Sequence, residues 1–357
     1  MAFLKVFLLV ISLLLLPGCD SSKRVSGEIT EYHVDAQDKL TGLTILTDEG
    51  QTMTFVPPKE DAHLIFSWLG ADTLSEIKEQ FPNEVLVSAQ YSGKQTTLTD
   101  PDGTIHTAYI ADWVMDTDHL TTRNVYTFPD GVTVDLWEGW SDRSYRLSDR
   151  TELLRINGHG PENTYGGGSV FSFDDLSPSA QEKVLAFYEE QGLLYDETTH
   201  LLRAYSFYQS DPENFQSLLA GQDISPCYGN ENIISFLTTV TEPISPGHID
   251  KLQLCHTFDR NTGERISNYD LFTVPPDGLL ATLLDHAGYE NWENAPSIEE
   301  MQAAFRPEYI HLSQDHISIM FPTGSLPSQE HGYGFGLSIF GQRWDALQDW
   351  AQPLPRE

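Results

Sequence analysis

The chain has 357 residues, of which 39% are hydrophobic and 11% aromatic, enough for about two domains with real cores and too apolar for a disordered tail. Lys and Arg number 20 against 53 Asp and Glu, a net charge of −33. Such a surface repels nucleic acid and anionic lipid headgroups and favours solubility, so a nucleic-acid partner is not expected.

The first residues state a location. Lys5 forms a short positive segment, and Val6–Leu16 is apolar apart from Ser12. That run is too short to span a bilayer as a helix and suits the hydrophobic region of a cleaved signal peptide. Leu16-Pro17-Gly18-Cys19 follows, and polar sequence begins at once with Asp20-Ser21-Ser22-Lys23. This arrangement resembles the lipobox of bacterial lipoproteins. The resemblance implies a signal peptide over residues 1–18, diacylglycerol and further acylation on Cys19, and a short tether over 19–23. The protein is then expected on the extracytoplasmic face of the cell membrane, held by lipid. Losing Lys5 with the leader leaves the mature chain at −34.

A first folded domain is expected over residues 24–118. Val25–His33, Leu43–Thr47 and Thr52–Val56 alternate as strands, with Asp48-Glu49-Gly50 as a hairpin turn. Pro57-Pro58 stops the third strand, and Asp72 is placed to cap a short helix ending near Gln80. Strands resume at Glu84–Tyr91, Lys94–Leu98 and Ile105–Val114, turned at Ser92-Gly93 and Asp102-Gly103. Three strands, a helix and further strands is the order of a small OB-like β-barrel. From Lys23 to Asp118 there are 6 basic and 17 acidic residues, so the basic groove of a nucleic-acid barrel is missing. A spacer, or a barrel contacting protein or glycan, is the expectation.

A larger α+β domain is expected over residues 121–357, with an antiparallel sheet and a few helices. Asn124–Phe128 and Val132–Trp137 read as strands around Pro129-Asp130-Gly131, and Glu138–Gly168 as irregular. Ser169–Phe173 is a short strand. The clearest helix has Ser177 as cap, Pro178 in its first position and Gly192 past its end, with Val184, Leu185, Phe187 and Tyr188 as its buried stripe. Leu202–Tyr208 reads as strand or helix, and Phe215–Leu219 as a helical turn. Asn232–Val240 and Ile249–Phe258 form a hairpin turning near Ser245-Pro246-Gly247. Helices over Asp277–Ala287 and Ile298–Phe305, strands at Tyr309–Leu312, Ile317–Phe321 and Gly334–Phe340, and a helix over Arg343–Trp350 complete the chain.

Asn232-Ile233-Ile234-Ser235-Phe236, then His256-Thr257-Phe258-Asp259 running into Thr262-Gly263-Glu264, then Asp270-Leu271-Phe272 form one half of a pattern. Phe305-Arg306-Pro307-Glu308-Tyr309-Ile310, the strand Ile317–Phe321 and Leu326-Pro327 form the other. Together they resemble the extracytoplasmic domain of unknown function of RsiV-type anti-sigma factors and PdaC-type peptidoglycan deacetylases. The resemblance covers about Asn230–Pro353. It implies binding or sensing at the envelope, and in the RsiV type the ligand is lysozyme. Neither the sigma-binding segment of the one nor the deacetylase domain and His-x-x-x-His metal pair of the other is read here.

No catalytic, metal or cofactor residues emerge. His311, His316 and His331 read as hairpin polar positions, because a zinc site needs three or four ligands with a fixed outer shell. Asp100-x-Asp102-Gly103 lacks the distal ligands of a calcium loop and reads as a turn. Asp259 and Gly263 suit a structural turn. Ser75-x-x-Lys78 is a chance match to a nucleophile pattern. Cys227 and Cys255 could pair in an oxidising compartment, although the hairpin register sets Cys255 opposite Ile234–Leu237 and leaves Cys227 beyond the strand start. Trp137 and Trp140 are candidate binding aromatics. The expected function is a non-catalytic, lipid-anchored binding or sensing protein whose ligand is a lysozyme-like protein or cell-wall glycan. A glycan-acting enzyme with paired carboxylates and a solute-binding lipoprotein of a transporter are the alternatives.

Overall fold

The computed structural model describes residues 22–58, 73–139, 141–162, 172–286, 296–313, 317–329 and 335–339. The chain is mixed α+β and dominated by strands, with five α-helices among the described residues. None of those helices is long and apolar enough to cross a membrane. Two compact units form, one from Met1–Thr127 with Thr133–Trp140 and one from Phe128–Val132 with Ser141–Glu357.

The first unit contains β1 (Lys23–Val34), β2 (Leu40–Thr47), β3 (Thr52–Val56), α1 (Leu74–Gln80), β4 (Val85–Thr99), β5 (Ile105–Thr127) and β6 (Thr133–Gly139). β1 pairs antiparallel with both β2 and β4, and β2 pairs with β3. β3 runs parallel to β5 from Thr54↔Ala108 to Val56↔Ile110, and β5 returns antiparallel to β4. Each of these five strands therefore has at least two partners, and β5 has a third in β6. Leu43, Ile45, Phe55, Ile77, Val87 and Ala89 are fully buried in one apolar cluster. Gly27 lets β1 and β2 approach closely, because a Cβ there would lie 2.3 Å from the Leu46 carbonyl oxygen.

Three expectations for this unit change. The cap of α1 is Thr73 rather than Asp72, because Thr73 and Glu76 form a reciprocal capping box. Glu84–Tyr91 and Lys94–Leu98 are one strand, β4, whose register slips between Tyr91 and Gln95 where Gly93 takes a φ of 81°. β5 does not stop at Val114 but continues to Thr127, so the boundary expected at residues 118–121 falls inside it.

In the second unit β7 (Asp142–Leu147), β8 (Glu152–His159), β9 (Leu218–Gly229), β10 (Ile233–Ser245), β11 (His248–Asp259) and β12 (Arg265–Ile266) pair in that order. All these pairings described are antiparallel except β8–β9, which is parallel. β7 and β8 replace part of the irregular stretch expected over 138–168, of which residues 140 and 163–168 lie outside the described residues. The expected turn at Phe215–Leu219 is instead the approach to β9, held by the pairing of Leu154 with Leu218. Between β8 and β9 lie α2 (Pro178–Gln191) and α3 (Glu197–Ser210). Ser177 caps α2 by accepting the Ala180 N–H, Pro178 opens it, and Gly192 ends it with a φ of 64°. Its buried stripe is Ala180, Val184 and Tyr188, while Leu185 is exposed.

The β10–β11 hairpin is buried on both faces. Ile234, Phe236 and Phe258 pack with α2. Ile233, Cys255 and Leu237 pack on the other side with α4 (Pro276–His286), α5 (Ile298–Ala304), β13 (Ile310–Leu312) and β14 (Ile317–Phe321), and β15 (Phe335–Ile339) pairs with β14. Phe173 opens a 3-10 turn, while the rest of the strand expected over 169–173, save Ser172, and the helix expected over 343–350 lie outside the described residues.

Candidate functional site

Among the described residues, one group of His and Asp side chains placed to hold a metal lies in the first unit, at one end of β1. His33 ends that strand's regular pairing, Asp100 opens the turn between β4 and β5, and His106 is the second residue of β5. The turn is fixed by the Asp100 N–H to the Thr104 carbonyl at 2.9 Å and the Gly103 N–H to the Asp100 carbonyl at 2.9 Å. The Asp102 carboxylate accepts the Thr104 N–H at 2.9 Å, which closes it further. Asp100 is thereby held with its carboxylate free to face inward.

One Asp100 oxygen lies 3.0 Å from His33 Nδ1, and the other 2.7 Å from His106 Nε2. The two imidazoles meet edge to face with centroids 4.6 Å apart. His33 is 2% exposed, and its Nε2 lies 2.8 Å from the Thr44 hydroxyl, which in turn contacts the Thr54 hydroxyl at 2.9 Å. Thr44 and Thr54 are directly paired across β2 and β3, and strand alternation sets them opposite to the core residues Leu43, Ile45 and Phe55. Burial pushes the Asp100 carboxyl up, but the hydrogen bonds to His106 and His33 outweigh it and hold it below the usual carboxylate range. Among the described residues no other three His, Cys, Asp or Glu side chains converge in this way.

The sequence candidates are placed elsewhere. Cys19, Trp140, His316 and His331 lie outside the described residues. Trp137 is 4% exposed, so its ring is core and not a surface platform. Asp100 to Gly103 is a turn as expected, yet Asp100 also carries the cluster, which sequence reasoning missed. His311 is buried on β13, and its Nε2 donates to the Gln253 carbonyl at 3.2 Å. The Asp259 carboxylate accepts the N–H groups of Asn261 and Thr262 at 2.9 and 2.8 Å, as a structural turn requires.

Cys227 and Cys255 are both free thiols. Cys227 lies before the start of β10, as expected, in the preceding strand β9, where it is the extra residue of a bulge opposite Ser235 and Phe236. Its Sγ donates to the Ser235 carbonyl at 3.3 Å and lies 3.9 Å from the Cys255 Sγ. Cys255 faces Leu237 across the hairpin, within the range expected. The contact with Cys255, and then burial, push the Cys227 thiol well up, which leaves it an inert neutral group.

No protein-family model matches this chain, and no curated protein matches it. Solved structures similar to it include two DUF3298 family proteins. A DUF3298 family member from Bacteroides fragilis shares 11% identity at a TM-score of 0.35, the match covering 58% of this chain and 88% of that one. A DUF3298 family protein from Pseudomonas aeruginosa shares 11% identity at a TM-score of 0.33, over 66% of this chain and 92% of that one.

Proposed function

We propose that the protein is a non-catalytic binding or sensing lipoprotein of the bacterial cell envelope, anchored through acyl chains on Cys19 and exposed on the extracytoplasmic face. The observation that carries this reading is Leu16-Pro17-Gly18-Cys19 directly after an apolar run too short to span a bilayer. We read the first unit as an OB-like barrel. Its support is the cycle of pairings β1–β2–β3–β5–β4–β1, with α1 between β3 and β4. The strongly acidic surface favours a basic protein over a nucleic acid as ligand. The second unit is read as the RsiV-type domain, which makes a lysozyme-like protein or a cell-wall glycan the ligand to test first.

Two measurements test this. Metabolic labelling with a palmitate analogue should mark the protein and fail on Cys19→Ser, which should also leave the membrane fraction. Binding of lysozyme and of solubilised peptidoglycan should be followed against salt, since a chain at −33 attracts any basic protein. Affinity that persists at about 0.3 M salt, where the Debye length is roughly 6 Å, supports a specific receptor. Affinity that vanishes there, with none for glycan, removes both ligands.

A further inference from the structure

We propose that His33, Asp100 and His106 form a binding site for one divalent transition-metal ion, with zinc the best fit. This goes beyond the envelope-binding role and does not depend on it.

The donors suit the ion. Two imidazoles and one carboxylate form a borderline nitrogen–oxygen set, which favours zinc over the all-oxygen shells of magnesium and calcium. The spacing also fits. Ligands on a tetrahedral zinc, each bonded at about 2.0–2.2 Å, stand about 3.3 Å apart. His33 Nδ1 lies 3.0 Å from one Asp100 oxygen and His106 Nε2 2.7 Å from the other, and the ligand atoms of the three residues all lie within 4.8 Å of one another, so small adjustments bring them to that spacing. The three residues come from the end of β1, the β4–β5 turn and the start of β5, so they converge through the fold and not through local sequence.

The surroundings have the features of a metal shell. The Thr44 hydroxyl behind His33 Nε2 orients that ring and leaves Nδ1 to face the ion. A ligating histidine characteristically uses its second nitrogen this way. Metal loading fixes the tautomer: His33 Nε2–H donates to Thr44, and the Thr44 hydroxyl donates to Thr54. Without metal the direction reverses, and Nδ1–H donates to Asp100. His33 is sealed, whereas the His106 and Asp100 side chains are 23% and 19% exposed, which gives an ion a path in and leaves room for water as a further ligand.

The test uses the purified full chain, stripped with chelator and dialysed against zinc, with a separate titration by cobalt(II). One equivalent of zinc should be retained in the presence of excess magnesium and about 0.15 M salt, conditions that screen loose attraction to the acidic surface. Asp100→Asn and His106→Gln should each weaken zinc at least tenfold, and Thr44→Val, which removes only the orienting hydroxyl, about tenfold. Cobalt should give a tetrahedral spectrum of nitrogen and oxygen ligands. That spectrum is read on the unaltered chain, so it decides the matter even if a variant fails to fold. No stoichiometric zinc, zinc unchanged in both ligand variants, or a thiolate charge-transfer band placing the metal at Cys227 and Cys255 would each overturn the proposal. The triad would then be a hydrogen-bonded tie and nothing more.

Discussion

Cys227 and Cys255 hold their sulfurs 3.9 Å apart although their strands are not neighbours, β10 running between them. Two ladder spacings put second-neighbour strands about 9–10 Å apart, while a disulfide needs Cα atoms within about 7 Å. The bulge at Cys227 leans its side chain over β10 but does not remove that strand. Both residues should therefore stay reduced even in an oxidising compartment. A thiol reagent should find neither in the native protein and both after denaturation in the absence of reductant. A single mass decrease of one bridge, reversed by reductant, would contradict this.

Phe236 is fully buried, with the rings of Phe173, Tyr188 and Phe258 about it at 6.4, 6.2 and 6.0 Å. Truncating it opens a cavity between the hairpin and α2. Phe236→Ala should cost about 3–5 kcal/mol in denaturant unfolding, and Phe236→Leu distinctly less. Equal costs would mean that filled volume is not what the ring contributes.

Gly263 takes a φ of 72°, and a Cβ there would lie 2.7 Å from both the Cα and the carbonyl oxygen of Ala180. Backbone cannot yield as a flexible side chain can. Gly263→Ala should cost about 2–4 kcal/mol, combining left-handed strain with overpacking. Asn261→Ala, in the same loop, should cost less than about 1 kcal/mol in the same unfolding measurement.

Stability of the second unit should fall in acid. Burial lowers both His256 and His311 to about 4, with the Arg265 charge adding to the effect on His256 and the Gln253 carbonyl opposing it on His311. Above about pH 6.5 both folded and unfolded states hold neutral imidazoles, and the full stability is present. Between there and pH 4 the unfolded chain takes up protons that the folded one refuses, so stability is lost, by about 3 kcal/mol per histidine. Unfolding midpoints at pH 7 and pH 4.5 measure this, and His256→Gln should shrink the difference. No difference between the two pH values would contradict the burial argument.

Asp116 in β5 has the opposite sign. Burial first, and then the neighbouring Asp118, raise its carboxyl to about 6. The ionised form is disfavoured by folding, so stability is lost as pH rises through 4 to 6. Asp116→Asn should stabilise the first unit at pH 7 by about 1 kcal/mol after solvent screening, and by almost nothing near pH 4. A gain of equal size at both pH values would point to hydrogen bonding instead.

Elements specified by nearby residues were legible in the sequence. The caps of α2 are written in Ser177, Pro178 and Gly192, and the register of β10 with β11 in alternating burial around one tight turn. Elements specified by distant partners were not. β7, β8 and β9 are short or polar strands stabilised by neighbours far along the chain, and Phe215–Leu219 has no local signal for the parallel pairing that holds its end. The His33–Asp100–His106 group is the extreme case. Its members are separated by 67 and 6 residues, a spacing with no motif, and only the pairing of β1 through β5 unites them. The closeness of Asp100 and His106 on one hairpin was the one available hint. Trp137 was a candidate on aromatic character alone, which cannot tell which side of a strand faces the core, and its ring lies in the core.

The parallel pairing of β8 with β9 also sets an order of assembly. His159 and Asp223 face each other across it, 64 residues apart, and both α2 and α3 lie in the intervening chain. Closing so long a loop is entropically dear until the helices have shortened it. The hairpin of β10 and β11 closes through a tight turn at Pro246-Gly247 and faces no such delay. Synthesis nevertheless delivers β8 first, so its edge must wait for β9 to emerge, and refolding from denaturant should begin instead in the hairpin and spread back toward β8.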